Sequence, residues 1–405
     1  MPLFSILLLS FLTTLYAQSQ DTINTKDHIG AILENIHFTP LSKGTKFVSV
    51  DGSGTSCTQN KPCDLYTVVD LLIPGDIVFL KEGRYILTKR LNIHKSHSGT
   101  QEKPIIIESY PGEHAILDGN QTIKTIIQNK TSIFIMVWAN HIALRKLEII
   151  KMSKNGIMLG GSYNIIEGCK IHHNHHNGIS IYDTEKFYEV PYINGYNLVE
   201  NNIIYDNSDK GLTFKSYANG NNADGISILS GKFNKIIHNT VYHNSDDGID
   251  SDRSNDTEIA YNLVYKNGLA QGDGNGIKTG GILNSKFLNG LRAYTHHNIS
   301  TFNQSHGFNT NAGRDVKLIF NTAYMNLGSG FAYTANDTNV SYNIAYLNKK
   351  PIRIKENHKF NSWQKDLHMD FISKDLNNSH FLCPNNNSAL ENLGAYSKLF
   401  TDSNH

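Results

Sequence analysis

Residues 239–267 read NTVYHNSDDGIDSDRSNDTEIAYNLVYKN, and the two Asn-x-x-x-x-Asn phrases that open and close this stretch decide the fold. Asn239-TVYH-Asn244 and Asn262-LVYK-Asn267 lie 23 residues apart; the phrase recurs as Asn202-IIYD-Asn207, Asn298-ISTF-Asn303, Asn321-TAYM-Asn326 and Asn343-IAYL-Asn348. Successive first Asn positions are separated by 37, 23, 36, 23 and 22 residues, and Cys169 and Lys146 extend the register backwards by 33 and 23. A basic unit of 22–23 residues that accepts insertions of 10–14 is the signature of a solenoid.

Each unit carries short alternating runs of Val, Ile, Leu, Tyr and Thr broken by Asn, Gly, Ser and Asp, which is strand-and-turn chemistry. One such unit cannot bury an apolar face alone, whereas stacked neighbours share a continuous core. Leucine-rich repeats need an LxxLxLxxN pattern that is missing, and propeller blades need longer units. The expectation is an all-β chain folded as a single parallel β-helix. Equivalent side chains then lie about 4.8 Å apart on successive coils. Buried Asn side chains in register can hydrogen-bond one another, which explains a polar residue recurring inside an apolar pattern. The coils should occupy residues 46–350, preceded by an extension over 18–45 and followed by a tail over 351–405 that packs on the solenoid. Helix is expected only near 64–73 (DLYTVVDLLI), as a cap on the first coil.

Lys and Arg total 37 against 36 Asp and Glu, so the chain lacks the long-range field of a nucleic-acid or membrane-surface binder. Neither partner is expected. Residues 3–15 (LFSILLLSFLTTL) form an apolar run of signal-peptide length, with a small-residue cleavage site after Ala17, so export of a soluble monomer is expected. No Lys or Arg precedes that run, a departure from the usual signal pattern. Cys57, Cys63, Cys169 and Cys383 are too few to staple the chain and show no zinc spacing; Cys57 and Cys63 either close a small disulfide or form an exposed unpaired couple.

Between 221 and 281 the turns become acidic: NNADGISI, NSDDGIDSDRSND and GDGNGIKTGG. Aligning the Asp/Asn-Gly-Ile elements places Asp224, Asp247 and Asn275 at one turn position on three successive coils. Ser227, Asp250 and Lys278 then follow one another on the adjoining strand. Asp224, Asp246, Asp247 and Asp250 should therefore converge, and carboxylates so close repel unless a cation neutralises them. One Asn/Asp-Gly phrase is ordinary turn chemistry; three in register are not. A hard divalent ion with oxygen ligands fits, and Ca2+ tolerates the irregular geometry better than Mg2+. Lys278 should stand one coil away among glycines, where positive charge from the metal would lower its pKa and let it act as a general base. That pairing suits β-elimination at a 4-linked uronate: base at C5, metal on the carboxylate, O4 leaving.

At these residues the chain resembles the polysaccharide lyase family 9 pectate lyases. NADG at 222–225, NSDDGID at 244–250 and GNGIKTGG at 274–281 carry the resemblance, with KPIIIESYPGEHAILDG at 103–119 and NTAYMN at 321–326. It implies a right-handed parallel β-helix, calcium ligands at Asp224, Asp246, Asp247 and Asp250, Lys278 as Brønsted base, and an acidic polysaccharide substrate such as pectate. Two departures are Ile249 where the family often has an aromatic, and Arg314 near a family glycine. Arg314 is a candidate contact for a neighbouring uronate carboxylate.

Three other readings keep the solenoid. Another uronide lyase, such as one for rhamnogalacturonan, would use the same site. A calcium-stabilised carbohydrate-binding β-helix would make Lys278 ordinary. A polygalacturonase-type hydrolase would use paired acids without metal.

Overall fold

The computed structural model describes residues 45–182, 194–214, 217–218, 220–270, 272–281, 292–332, 337–353, 358–365 and 367–397. Apart from one antiparallel pair, Thr213–Phe214 with Tyr217–Ala218, the strands form three parallel sheets wound one after another. A 12-stranded long sheet runs from Thr45–Val48 to His358–Lys359. A 10-stranded site sheet runs from Leu91–Ile93 to Lys350–Arg353, and a 10-stranded aromatic sheet from Gly83–Ile86 to Ile344–Tyr346. Each strand pairs in register with its counterpart one coil away. On the site sheet the inward column is Ile157, Ile179, Ile226, Ile249, Ile277, Phe308 and Phe331, all at 0% exposure. Each such side chain contributes roughly 1.5–3 kcal/mol by leaving water.

The corners explain the Asn phrases. His238, Tyr261, His297, Phe320, Tyr342 and Phe360 adopt left-handed conformations (φ 53° to 58°), and each is followed by a buried Asn. The bend throws the first side chain outward and the Asn inward. The inward residues form a ladder, Asn202–Asn239–Asn262–Asn298–Asn321–Asn343–Asn361, through amide-to-carbonyl hydrogen bonds of 2.9–3.3 Å. A second ladder, Asn174–Asn207–Asn244–Asn267–Asn303–Asn326–Asn348, has bonds of 2.8–3.1 Å. Both asparagines of each phrase are thus structural, because an amide side chain can accept from one coil and donate to the next.

The outward corner residues stack as well, His238 on Tyr261, Tyr261 on His297 and His297 on Phe320, at 4.9–5.2 Å. Burial holds His238 down at about 4 and, aided by the nearby His296, holds His297 down at about 3. These imidazoles are neutral in the folded state and protonate more readily when unfolded, near 6.5. Their stabilising contribution is full above that value and is lost as pH falls towards 3–4. Each pKa unit corresponds to about 1.4 kcal/mol. His297→Phe should therefore lose several kcal/mol less than the parent between neutral pH and pH of about 3. Denaturant midpoints of the two proteins at several pH values measure the difference, in which other titrating groups cancel; parallel curves would refute it.

Helix α1 (Leu65–Asp70) caps the first coil as expected, with Asp64 accepting from Tyr66 and Thr67. A second helix, α2 (Ile123–Asn129), corrects the expectation that helix is confined to the cap. Thr122 and Thr125 close a capping box there, a signal that the strand-rich repeat obscured. Cys57 and Cys63 form a disulfide and are buried, not exposed. The solenoid also outruns residue 350: Lys350–Arg353 and His358–Lys359 are paired strands, and Asn361 closes the first ladder. Asn361 follows Asn343 by only 18 positions, so the last coil falls outside the repeat length. Phe371, Phe381, Leu382, Leu390 and Leu393 then pack on the aromatic sheet beside Ile299, Tyr324 and Ile344.

Candidate active site

The site grows from a further file of turn residues at the entrance to the site sheet. The backbone N–H of Asp224 donates to Asn177 Oδ1 at 2.8 Å, that of Asp247 to Asp224 Oδ1 at 3.2 Å, and that of Asn275 to Asp247 Oδ1 at 2.6 Å. Asp224 and Asp247 are thus charged substitutes for ladder asparagines: each keeps the acceptor and adds a second oxygen with negative charge. The glycine that follows each lets the chain turn in against the Asn ladder. A Cβ on Gly248 would stand 2.3 Å from Val264 Cγ1, 2.6 Å from Gly276 O and 2.7 Å from Asn267 Nδ2. Gly248→Ala should cost about 1–3 kcal/mol and weaken cation binding by displacing Asp247; unchanged melting temperature would contradict the packing argument.

The predicted residues come together. Asp224, Asp246 and Asp247 each present a carboxylate oxygen within 4.8 Å of the others, and all three are buried. Asp250 meets Lys278, its partner in strand register, and lies near enough to Asp224 to help raise that carboxyl. Lys278 Nζ lies 3.0 Å from Asp250 Oδ2 and 2.8 Å from Asp247 Oδ2. Asp250 Oδ1 is buried with no hydrogen-bond partner among the described residues. An all-oxygen donor set with an orphaned carboxylate oxygen fits a hard divalent cation.

The electrostatics follow from crowding in a dry corner. Burial, reinforced by Asp247, pushes Asp246 up to about 8. Burial also pushes Asp250 up to about 7, with Asp247 and Asp252 adding to it and Lys278 opposing. Asp224 is raised by burial and by Asp246. Burial alone would lower the Lys278 amine, but Asp250, Asp247 and Asp224 outweigh it and raise its pKa. The protein's own groups therefore hold the amine protonated, opposite in direction to the effect expected of a bound metal.

Two neighbours escaped the sequence reading. Asp273 places Oδ2 3.5 Å from Lys278 Nζ, while its backbone N–H donates to Asp246 Oδ1 at 2.5 Å. It sits in the longer 28-residue unit, where alignment lost it. Asp209 is buried at 0% exposure and accepts from Ser245 Oγ at 3.4 Å. It follows Asn207 by the offset at which Asp246 follows Asn244, which was the available signal. Arg314 instead forms an exposed pair with Asp337, 2.8 Å away.

A stacked-coil solenoid that gathers carboxylates and a lysine on one strand-turn edge defines a polysaccharide-lyase type of β-helix. The chain belongs to polysaccharide lyase family 9: the family model described as Pel9A-like, right handed beta helix region matches residues 46–350. It is 26% identical over 332 residues to pectate lyase L of Thermoclostridium stercorarium, covering 78% of this chain and 24% of that one. It therefore spans about a quarter of that relative's length. Pectate lyase L of Paenibacillus polymyxa (strain SC2) is 25% identical over 343 residues, covering 80% of this chain and 73% of its own. Among solved structures, pectate lyase Pel9A superposes with a TM-score of 0.71 at 22% identity, covering 89% of this chain and 94% of that one. A rhamnogalacturonan lyase superposes with a TM-score of 0.64 at 19% identity, covering 82% and 91%.

Proposed function

We propose that the chain is an exported, calcium-dependent lyase that cleaves pectate or a related uronide by β-elimination. The observation that carries this reading is the amine of Lys278, 2.8 Å and 3.0 Å from two buried carboxylates beside the Asp224, Asp246 and Asp247 trio. Those three residues, with Asp250, would hold calcium. Bound calcium supplies Lewis-acid charge at the uronate carboxylate, offsetting the negative charge that develops as C5 is deprotonated. Lys278, as the neutral amine, takes the C5 proton, and the bond from C4 to its oxygen substituent breaks to leave a C4–C5 double bond. Asp247 and Asp250 fix where the amine points. Since the same carboxylates raise its pKa, the rate should climb on the alkaline side. Arg314 is proposed as a carboxylate contact that must first leave Asp337. Residues 1–17, proposed as the export signal, lie outside the described residues, as do most of 184–196 and part of 210–222, the loops proposed to shape the cleft.

The test is a panel of polygalacturonate, rhamnogalacturonan and other uronide polymers, with and without calcium. The unsaturated product absorbs in the ultraviolet, and a hydrolase would release reducing ends without that absorbance. Calcium-independent product from every polymer, or no product from any, would overturn the reading.

A further inference from the structure

Asp209 is fully buried, and the elimination chemistry leaves it without a task. Asn207-Ser208-Asp209 runs one coil below Asn244-Ser245-Asp246: Asn207 Nδ2 donates to Asn244 Oδ1 at 3.0 Å, and the Ser245 N–H donates to the Asn207 carbonyl at 3.0 Å. Asp209 is thus the counterpart of Asp246 on the preceding coil. The chain then departs from the pattern, for Asp246 is followed at once by Asp247, whereas the coil below resumes only at Ala223-Asp224. The inserted stretch returns onto Asp209, with the Leu212 N–H donating to its carbonyl at 2.9 Å and the Asn222 N–H 3.5 Å from its Oδ1. Asp209 is left at 0% exposure and is not one of the three carboxylates, Asp224, Asp246 and Asp247, that crowd together above it.

Its carboxylate is poorly provided for. Oδ1 meets Ser245 Oγ at 3.4 Å and the Asn222 N–H at 3.5 Å, both long, and Oδ2 has no hydrogen-bond partner among the described residues. A buried charge in that condition is destabilising unless a positive charge stands close. His176 occupies the matching position on the coil below and is not that charge. Asn222 Nδ2 donates to His176 Nε2 at 3.0 Å, which takes the lone pair of a neutral ring, and burial lowers the His176 pKa. Lys154, one coil further down, is exposed and lies over the Phe134 ring, 6.0 Å from its centre. In the other direction, one coil spacing of about 4.8 Å away, stand Asp246 and the acidic cluster.

We infer that Asp209 is a buried counter-charge for the cation of the acidic cluster: it touches no metal, and it sets calcium affinity by holding a negative charge one coil beneath Asp246. The inference rests on the calcium-binding reading given above. A charge kept dry retains most of its Coulomb attraction, because little water intervenes to screen it. Ser245 is the spacer between the two, donating to Asp209 through Oγ while its backbone leads into Asp246. In the calcium-free chain Asp209 is under-compensated, and a cation above it relieves that condition, so part of the affinity is stored in the fold. Asp209 is therefore a positioning residue of an electrostatic kind, and groups that act on a metal from behind its ligands are commonly worth about 10–100-fold in affinity.

Calcium chloride should be titrated calorimetrically into the full chain and into two variants. Asp209→Asn keeps the size and the acceptor for Ser245 and removes the charge; it should weaken calcium binding by about 10–100-fold. Ser245→Ala removes the hydroxyl and keeps the charge, and should bind calcium as the parent does. Without calcium, Asp209→Asn should melt at the parent's temperature or above it, because an ill-compensated buried charge has gone. With calcium, its melting temperature should rise less than the parent's. A purely structural prop would behave in the opposite way, with Ser245→Ala losing affinity and calcium-free Asp209→Asn losing stability; that pattern, or parent-like affinity in Asp209→Asn, would overturn the inference. If the parent binds calcium and Asp209→Asn binds it equally, the counter-charge falls and the proposed function stands. A parent that binds no calcium would remove the calcium-dependent reading itself, and this inference with it.

Discussion

Lys278→Ala is expected to lower the rate of unsaturated-product formation by about 10²–10⁴-fold, the usual contribution of a positioned base, while calcium still binds. The second half of that result is the more discriminating. The Lys278 ammonium lies 2.8 Å from Asp247 and 3.0 Å from Asp250, so it competes with any cation for the same oxygens. Its removal should leave calcium affinity equal or higher. Lys278→Arg keeps a charge at the site but provides no usable base at accessible pH, and should be as inactive as the alanine variant. Retention of more than a tenth of the parent rate by Lys278→Ala would exclude the lysine as base and favour a purely binding role for the site.

Asp247→Asn should leave the solenoid intact and weaken calcium binding by about 100-fold or more, since it removes a charged ligand outright. The turn file already uses Asn177 and Asn275 on the flanking coils, so an amide carbonyl at 247 can still accept the Asn275 N–H. The charge, one anionic oxygen and the ion pair from that oxygen to Lys278 are what change. Chelation of the parent should abolish product and be reversed by calcium. The pH dependence has a definite sign. Burial and mutual repulsion raise Asp246 to about 8 and Asp250 to about 7, so protons occupy part of the cluster near neutrality. Calcium must displace them, and its affinity should rise about tenfold per pH unit for each proton released as pH climbs from about 6 to 8. Calorimetry in buffers of different ionisation enthalpy counts those protons. Affinity that stays flat over this range, or falls, would show that the carboxylates are already ionised without the metal.

Much of this was legible in the chain itself. The asparagine ladders could be read because a buried amide must have a partner at the same place on the next coil, which forces a fixed register. The acidic file could be read for the same reason: Asp224 and Asp247 occupy ladder-like positions before glycine. Asp273 lies in an inserted turn, where no register constrains it, and its nearness to Lys278 depends on how the loop folds back onto Asp246. The pull of the carboxylates on Lys278 went uncounted because the sequence reading weighed only the charge of a metal there. The carboxylates alone, at hydrogen-bond distance, already hold the proton. Helix α2 was hidden because its signal is a local cap and owes nothing to the repeat.

Asn207 and Asn244 are 37 residues apart and bond at 3.0 Å, as do Asn244 and Asn267 at a separation of 23. The rungs respond to where a chain re-enters the stack and are indifferent to how far it has wandered. Extra chain can therefore lengthen or shorten at one corner while the neighbouring tiers keep their alignment, so a new specificity can be grafted beside an old chemistry without disturbing it.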